Sequence, residues 1–262
     1  MLVGDGDGFV ACACGQRHWG LFGAAGLLLT DPRRGVLLQH RAGWTHQGGS
    51  WALPGGAVQF DETSAQAAAR ETEEETAVPG EAFRVLAQRA DDHGTWRYTT
   101  VLATLAASAG AVEPRVTNAE SMALRWVAPA DVDGYPLHAG FAAAWPDLRA
   151  QLDRELVLIV GTGQDGMGRD AVGRERLDGL ARVGVRASDI GLDGLPGAEH
   201  WTWWPRVELT ADPGAAELAA SVRALRAQRP RDHLVLVSAD PVEDADAVLD
   251  PARLRRLLEN YP

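Results

Sequence analysis

Residues 69–78 read ARETEEETAV, with four glutamates (Glu71, Glu73, Glu74 and Glu75) in five positions and Arg70 as the adjoining base. Like charges three or four apart on a helix cost roughly 0.2–0.5 kcal/mol per pair, so a fold that keeps this run must put it where something offsets the repulsion. The flanks specify a helix over about 63–77. Thr63-Ser64-Ala65-Gln66 has capping-box spacing, Asp61 and Glu62 precede it near the positive end of the helix dipole, and Pro79-Gly80 stops it. Ala65, Ala68, Ala69, Thr72 and Thr76 fall on one face and are small, so the helix can lie close against a sheet. Glu71, Glu74 and Glu75, at i, i+3 and i+4, share another face, from which Glu73 points away. Three convergent carboxylates form a hard oxygen site suited to Mg²⁺ or Mn²⁺. An acidic run on an arbitrary helix is more often a solvated face. Here no basic residue stands at i+4, and a Gly-Gly turn precedes the helix by a fixed distance, which favours the metal reading.

The stretch Gly56–Val78, GAVQFDETSAQAAARETEEETAV, resembles the Nudix box at Gly56, Glu62, Arg70, Glu71, Glu74, Glu75 and Val78. It departs from the pattern at Thr72, where an aliphatic residue is usual, and at Ala77, where glycine is usual. WALPGG before the box and LRWVAP after it also look like the family, and the resemblance covers about the first half of the chain. It implies a metal-dependent pyrophosphohydrolase that cleaves a diphosphate linkage in a nucleotide or nucleoside diphosphate derivative by water attack. By the resemblance, Glu71, Glu74, Glu75 and the carbonyl of Gly55 would hold divalent metal, and Glu71 would also orient or deprotonate water. Glu62 and Arg70 would brace the loop–helix–loop together with Gly56, Glu120 would be a general base or further ligand, and Arg41 would contact phosphate. Alternative readings are an inactive nucleotide-binding or sensor module on the same fold and a nuclease in the C-terminal half.

Around the box the order of apolar runs is irregular. FGAAGLLLTD and GVLLQHR flank the turn DPRRG as a hairpin, and FRVLAQRA, WRYTTVLATLA and ALRWVAP are further strands, an α+β arrangement with a mixed sheet between helices. Residues 137–154 are Ala-rich, helical in spacing and broken by Pro146. Beyond them LVLIVG, RVELTAD and LVLVSAD alternate with helical patterns at 169–183, 214–228 and 251–258, the pattern of a small α/β domain with a parallel sheet. The expected division is 1–136 for the Nudix domain, 137–154 for a helical linker and 155–262 for a small α/β domain. Gly161-Thr162-Gly163-Gln164-Asp165-Gly166 matches GxGxxG but lacks the acid a dinucleotide site needs about 20 residues on, so it is read as a loop. Asp165, Asp212 and Asp240 weakly resemble the acidic cluster of PIN-like or NYN-like nucleases.

Among the remaining signals, Trp44, His46 and Trp51 surround the loop before the box, where Trp44 could stack on a base; Trp51 reads as core edge. Arg97 and Tyr98, in DDHGTWRYTT, could face substrate. Cys12 and Cys14 are the two cysteines; with a one-residue gap and no others, zinc binding with His18 is disfavoured, and a short strand with both thiols on one face is the plainer reading. The net charge of −11 argues against non-specific nucleic-acid or anionic-membrane binding. The absence of lysine excludes a Schiff base and leaves arginine as the phosphate clamp. Two cysteines, no leader pattern and no apolar run near 18 residues give the expectation of a soluble cytoplasmic protein taking a nucleotide-type small molecule, with a homodimer allowed.

Overall fold

The computed structural model describes residues 4–110, 112–161, 171–210, 215–239 and 241–260. It divides into two compact units, Met1–Asp153 and Arg154–Pro262.

In the first unit, β1 (Phe9–Ala11) and β2 (Arg17–Trp19) form a small antiparallel ribbon. The hairpin predicted around DPRRG is present as β3 (Ala24–Asp31) and β4 (Gly35–Arg41), closed by the pairs Thr30↔Val36 and Asp31↔Gly35. Past those two pairs the strands separate. β5 (Trp51–Ala52) pairs with β4, whereas β6 (Gly55–Ala57) pairs antiparallel with β3, so the box glycines enter as a wedge beside Ala24–Gly26. Helix α1 (Ser64–Thr76) follows. Then β7 (Phe83–Asp92) and β8 (Arg97–Leu105) form a long antiparallel pair, with β8 running parallel to β3. β9 (Ser121–Val127) returns antiparallel to β4, and α2 (Ala139–Gln151) closes the unit. The sheet is mixed, as the irregular order of apolar runs implies.

Leu27 and Leu29 of β3 pack with Ala67 and Ala68 of α1 in a cluster that includes Leu37, Val78, Phe83, Val101 and Ala103. Their neighbour Leu28 points to the opposite face and is also fully buried, so β3 is buried on both sides. Small side chains on the inner face of α1 let it sit close to this strand. Thr72, where an aliphatic residue was expected, is fully buried, and its hydroxyl donates to the Ala68 carbonyl at 2.7 Å. That bond satisfies the added polar atom within the helix.

Two local expectations are corrected. Helix α2 is not broken at Pro146 but runs through it. A proline removes one helical hydrogen bond, and buried Phe141, Ala144, Trp145 and Leu148 anchor both sides of that point. Cys12 and Cys14 do not share a strand: β1 ends at Ala11, and both lie in the tight turn to β2, where Gly15 takes φ +85°. Cys12 is buried and Cys14 exposed.

In the second unit, β10 (Leu156–Gly161), α3 (Ala171–Val183), β11 (Val185–Arg186), β12 (Trp201–Trp203), β13 (Arg206–Thr210), α4 (Ala215–Gln228), β14 (His233–Val237), β15 (Ala247–Leu249) and α5 (Pro251–Asn260) follow in order. The order β13-β10-β14-β15 is parallel throughout. Val222 of α4 packs with Val157, Ile159, Leu234 and Leu236, giving the sheet its own core. Residues 162–166 of the GxGxxG match, including Asp165, and the residues Asp212 and Asp240 lie outside the described residues.

Candidate active site

The acidic helix starts where its capping box places it. The Thr63 side chain accepts from the Gln66 N–H, and Gln66 returns a bond to the Thr63 N–H at 2.9 Å. One turn inward, Arg70 holds Glu62 with two bonds, Nε to Oε1 at 2.6 Å and Nη2 to Oε2 at 2.9 Å. It also donates to the Ala57 carbonyl at 3.0 Å and to Glu71 Oε1 at 2.8 Å. This fork ties β6, the loop after it and α1 together, and charge-assisted bidentate geometry makes it strong and directional. Glu62 is held below the usual carboxylate range by its bonds from Arg70.

The carboxylates on the exposed end of this brace differ in environment. Glu75 is buried, with its Oε2 accepting from the Gly55 N–H at 2.9 Å. Burial pushes its pKa up to about 7, against the opposing hydrogen bond from Gln39. Glu71 is also raised, first by burial and then by the charges of Glu74 and Glu120, while Arg70 opposes. Glu74 is more exposed, 3.6 Å from the same Arg70 nitrogen that binds Glu71. Arg70 therefore sits between Glu71 and Glu74. Glu73 stands apart, its side chain accepting from the Gly80 N–H at 3.4 Å.

Close packing leaves no room for side chains under this face. A Cβ on Gly56 would fall 2.5 Å from the Glu71 carboxylate, and one on Gly55 would fall 2.3 Å from the Ala25 carbonyl oxygen. Gly26 across the strand meets the Tyr98 hydroxyl in the same way, at 2.2 Å.

The segment ahead of Glu120 is tied to the helix through its carbonyls. The carbonyls at the end of α1 have no partner within the helix. Arg115 N–H donates to the Thr76 carbonyl at 2.9 Å, Thr117 N–H to that of Glu75 at 3.4 Å, and the Thr117 hydroxyl to that of Glu74. Three residues on, the Glu120 carbonyl accepts from the Ala42 N–H at 2.7 Å. This fixes Glu120 beside the end of β4, where the pairing with β9 shifts register between His40 and Arg41. Arg41 donates to the His46 carbonyl at 3.3 Å, and its charge acts on Glu75, Tyr98 and His138.

The other two sequence-selected residues are Trp44 and Arg97. Trp44 is 68% exposed at the loop before β5. Arg97 pairs with Asp92 at 2.7 Å and lines, with Trp96, Phe22 and Ser64, a cavity of about 280 Å³ that none of Glu71, Glu74, Glu75 and Glu120 reaches. Trp51 is core, stacked on His40 at 4.7 Å.

Sequence reasoning missed two residues here, Gln39 beside Glu75 and His138 beside Arg41. Gln39 is fully buried in β4, donating to the Ser121 hydroxyl at 2.7 Å. His138 is driven down to about 4, first by burial and then by Arg41. Tyr98, named from the sequence as a residue that could face substrate, feels the charges of Arg41 and Glu75, and burial pushes its phenol up to about 12. A buried glutamine inside an apolar strand was the one available signal for Gln39; nothing local marks His138.

The donor set suits a hard cation. Burial disfavours the charged forms of Glu71 and Glu75, and Arg70, which reaches Glu71, shares its charge with Glu62.

The model of the NUDIX domain matches residues 20–146. A Mycobacterium tuberculosis protein named "Putative 8-oxo-dGTP diphosphatase 3" is 49% identical over 159 residues, 57% of this chain and 71% of that protein. A Bifidobacterium longum "Nucleoside triphosphate pyrophosphatase/Nudix hydrolase fusion protein" is 42% identical over 154 residues, 56% of this chain and 32% of that one. Among solved structures, a Nudix hydrolase from M. smegmatis, RenU, is 45% identical, covers 55% of this chain and 93% of its own, and superposes with a TM-score of 0.50.

Proposed function

The chain belongs to the Nudix hydrolase family, and on that premise we propose that it hydrolyses a diphosphate linkage in a nucleotide or nucleoside diphosphate derivative with Mg²⁺ or Mn²⁺. The observation that carries this reading is the paired arrangement of Arg70 locked to Glu62 and Glu75 buried against the Gly55 N–H, which holds Glu71 and Glu74 on one face. Glu71, Glu74 and Glu75, with the Gly55 carbonyl, would hold the metal, which when bound neutralises phosphate oxygens and acidifies water. Glu71 and Glu75, already biased toward protonation, are suited to take up a proton at a carboxylate oxygen, and Glu120, whose charge acts on Glu71, is assigned a share in that role. Arg41, at the β4 bulge, is assigned to substrate phosphate, and Trp44 to stacking on the base. Arg97 is assigned to a more distant part of the substrate.

The name of the mycobacterial relative makes oxidised deoxynucleoside triphosphates the first substrates to try. In domain terms we assign 1–136 to the hydrolase domain, 137–154 to its closing helical segment, and 155–262 to an α/β domain with its own core. Among the described residues no helix is long and apolar enough to cross a membrane. Two free thiols support a reducing compartment, and we place the protein in the cytoplasm.

The test is turnover of a panel of oxidised and normal nucleoside triphosphates, dinucleotides and nucleotide sugars with Mg²⁺, by wild type and Glu74→Gln. Turnover by wild type that the variant loses supports the reading. Tight nucleotide binding with no turnover by wild type overturns it in favour of a sensor.

A further inference from the structure

Two tight turns face each other at one end of the first unit. One links β1 to β2, where Cys12 N–H donates to Gln16 O at 2.9 Å, Gly15 N–H donates to Cys12 O at 3.0 Å, and Gly15 takes φ +85°. The other links β7 to β8, where His93 N–H donates to Trp96 O at 2.9 Å and Gly94 takes φ +84°. Between them the ligand atoms of Cys12, Cys14, His18 and His93 all lie within 4.8 Å of one another. Cys14 Sγ is 3.1 Å from His18 Nε2. His93 Nδ1 is buried and has no hydrogen-bond partner among the described residues. A buried imidazole nitrogen without a partner is costly unless something outside the chain takes it.

We propose that Cys12, Cys14, His18 and His93 form a structural zinc site that fastens the β1–β2 ribbon to the β7–β8 turn. Two sulfurs and two imidazoles are a closed four-ligand set of the kind zinc takes tetrahedrally, with Zn–S near 2.3 Å and Zn–N about 2.0–2.1 Å. Such bonds place ligand atoms about 3.3–3.8 Å apart, so the widest separations must close by about 1 Å and the Cys14–His18 pair must open slightly. The softness of the thiolates separates it from the carboxylate face of α1.

The surroundings hold the ligands in place. The Trp96 ring stacks on His18 at 4.0 Å and 10°, and Trp96 Nε1 donates to the Trp19 carbonyl at 3.1 Å. Thr95 Oγ1 accepts from the Ala13 N–H at 3.1 Å and lies 3.5 Å from Cys12 Sγ. Hydrogen bonds from the Cys14 backbone and the Thr95 hydroxyl lower the Cys12 thiol, and burial keeps His18 neutral to lower pH. Binding replaces two S–H bonds by Zn–S bonds and releases two protons to solvent, with no change of oxidation state.

The purpose is mechanical. A ribbon of two three-residue strands is marginal in water, and this one exposes Phe9 and Trp19. A metal tie would fix it, and with it the turn that carries Trp96 and Arg97 into the cavity wall.

The test is elemental analysis of full-length protein grown with zinc and freed of loose metal by gel filtration. About one zinc per chain is expected in wild type and in Glu74→Gln, with only traces in Cys14→Ser and His93→Ala. Trace zinc in wild type with a thermal midpoint that added Zn²⁺ does not move would overturn the site, as would unchanged zinc in both variants. If the variants do not fold, wild type loaded with Co²⁺ decides. Thiolate-to-cobalt charge-transfer bands support the site, and bound cobalt without them overturns it. An as-isolated mass lighter by two hydrogens, marking a Cys12–Cys14 disulfide, also overturns it. None of these readouts depends on turnover, so the hydrolase reading stands or falls separately.

Discussion

The glutamate face of α1 and the Cys–His cluster of the two facing turns both gather metal-ligand chemistry within the first unit, by opposite constructions. The first takes hard oxygens from a single helix, leaves Glu74 open to solvent, and stores unrelieved charge in Glu71 and Glu75. The second takes sulfur and nitrogen from the β1–β2 ribbon and from the distant β7–β8 turn and surrounds them with a stacked ring and backbone bonds. An open site that keeps its charge is built to exchange what it binds. A closed set of four is built to keep it. The difference teaches that metal chemistry in one small fold can be divided between a working position and a fastening.

Substitutions can pull the two apart. The largest effect is expected for Glu71→Gln, which should cut turnover by roughly 10²–10⁴-fold, the usual worth of a proton-transfer group, while leaving zinc content unchanged. Steady-state kinetics beside elemental analysis checks this, and a joint loss of both would dissolve the distinction.

Next comes pH. In metal-stripped protein burial pushes folded Glu75 up to about 7, from an ordinary carboxyl value of 4.5. The folded state therefore holds the extra proton between those values, and stability is lost as pH rises from about 4.5 to about 7. At about 1.4 kcal/mol per pKa unit the loss is roughly 3 kcal/mol. Urea titrations across that window should show the fall in wild type, a smaller fall in Glu75→Gln, where raised Glu71 remains, and its reversal by Mg²⁺.

Gly56→Ala tests whether close packing, and not charge alone, sets the open site. The new methyl would meet the Glu71 carboxylate, and overpacking of this kind costs about 1–3 kcal/mol. Calorimetry and kcat should both fall, with zinc again retained.

The smallest effect is at Ala77, which caps α1 in the left-handed region at φ 55°. Ala77→Gly relieves about 1–2 kcal/mol of steric cost and gives back up to about 1 through unfolded-chain entropy. A gain of no more than about 1 kcal/mol should appear in thermal melts, with no change in either metal.

What the sequence disclosed followed the distance over which its signals act. The cap at Thr63 and Gln66 is local, and so are the spacing of Glu71, Glu74 and Glu75 and the end of the helix. The Glu62–Arg70 pair lies within one loop and two turns, which the family resemblance bridges. The mixed sheet and the parallel sheet also followed from the order of apolar runs. What stayed hidden depended on partners that no spacing marks. Cys12, Cys14 and His18 show no fourth ligand in their spacing because His93 arrives from another hairpin. The ion pair of Arg97 with Asp92 and its place in a separate cavity are likewise not written in its loop's composition. Pro146 was read as a break because proline preferences are local, whereas the apolar residues around it are buried by tertiary packing. The two-residue β11 and the three-residue β12 and β15 are too short for any period to register.

The seam where β3, β6 and α1 meet is made from missing side chains: Gly26 under the Tyr98 hydroxyl, Gly55 against Ala25, Gly56 under Glu71. For a lineage this divides the molecule into what can drift and what cannot. Mutations in the loop bearing Trp44 and in the turn bearing Arg97 alter surfaces that meet solvent. They can accumulate without touching the seam. A methyl added at Gly56 would meet the Glu71 carboxylate itself, and one at Gly55 the backbone of β3. Change is therefore tolerated at the rim and refused at the floor.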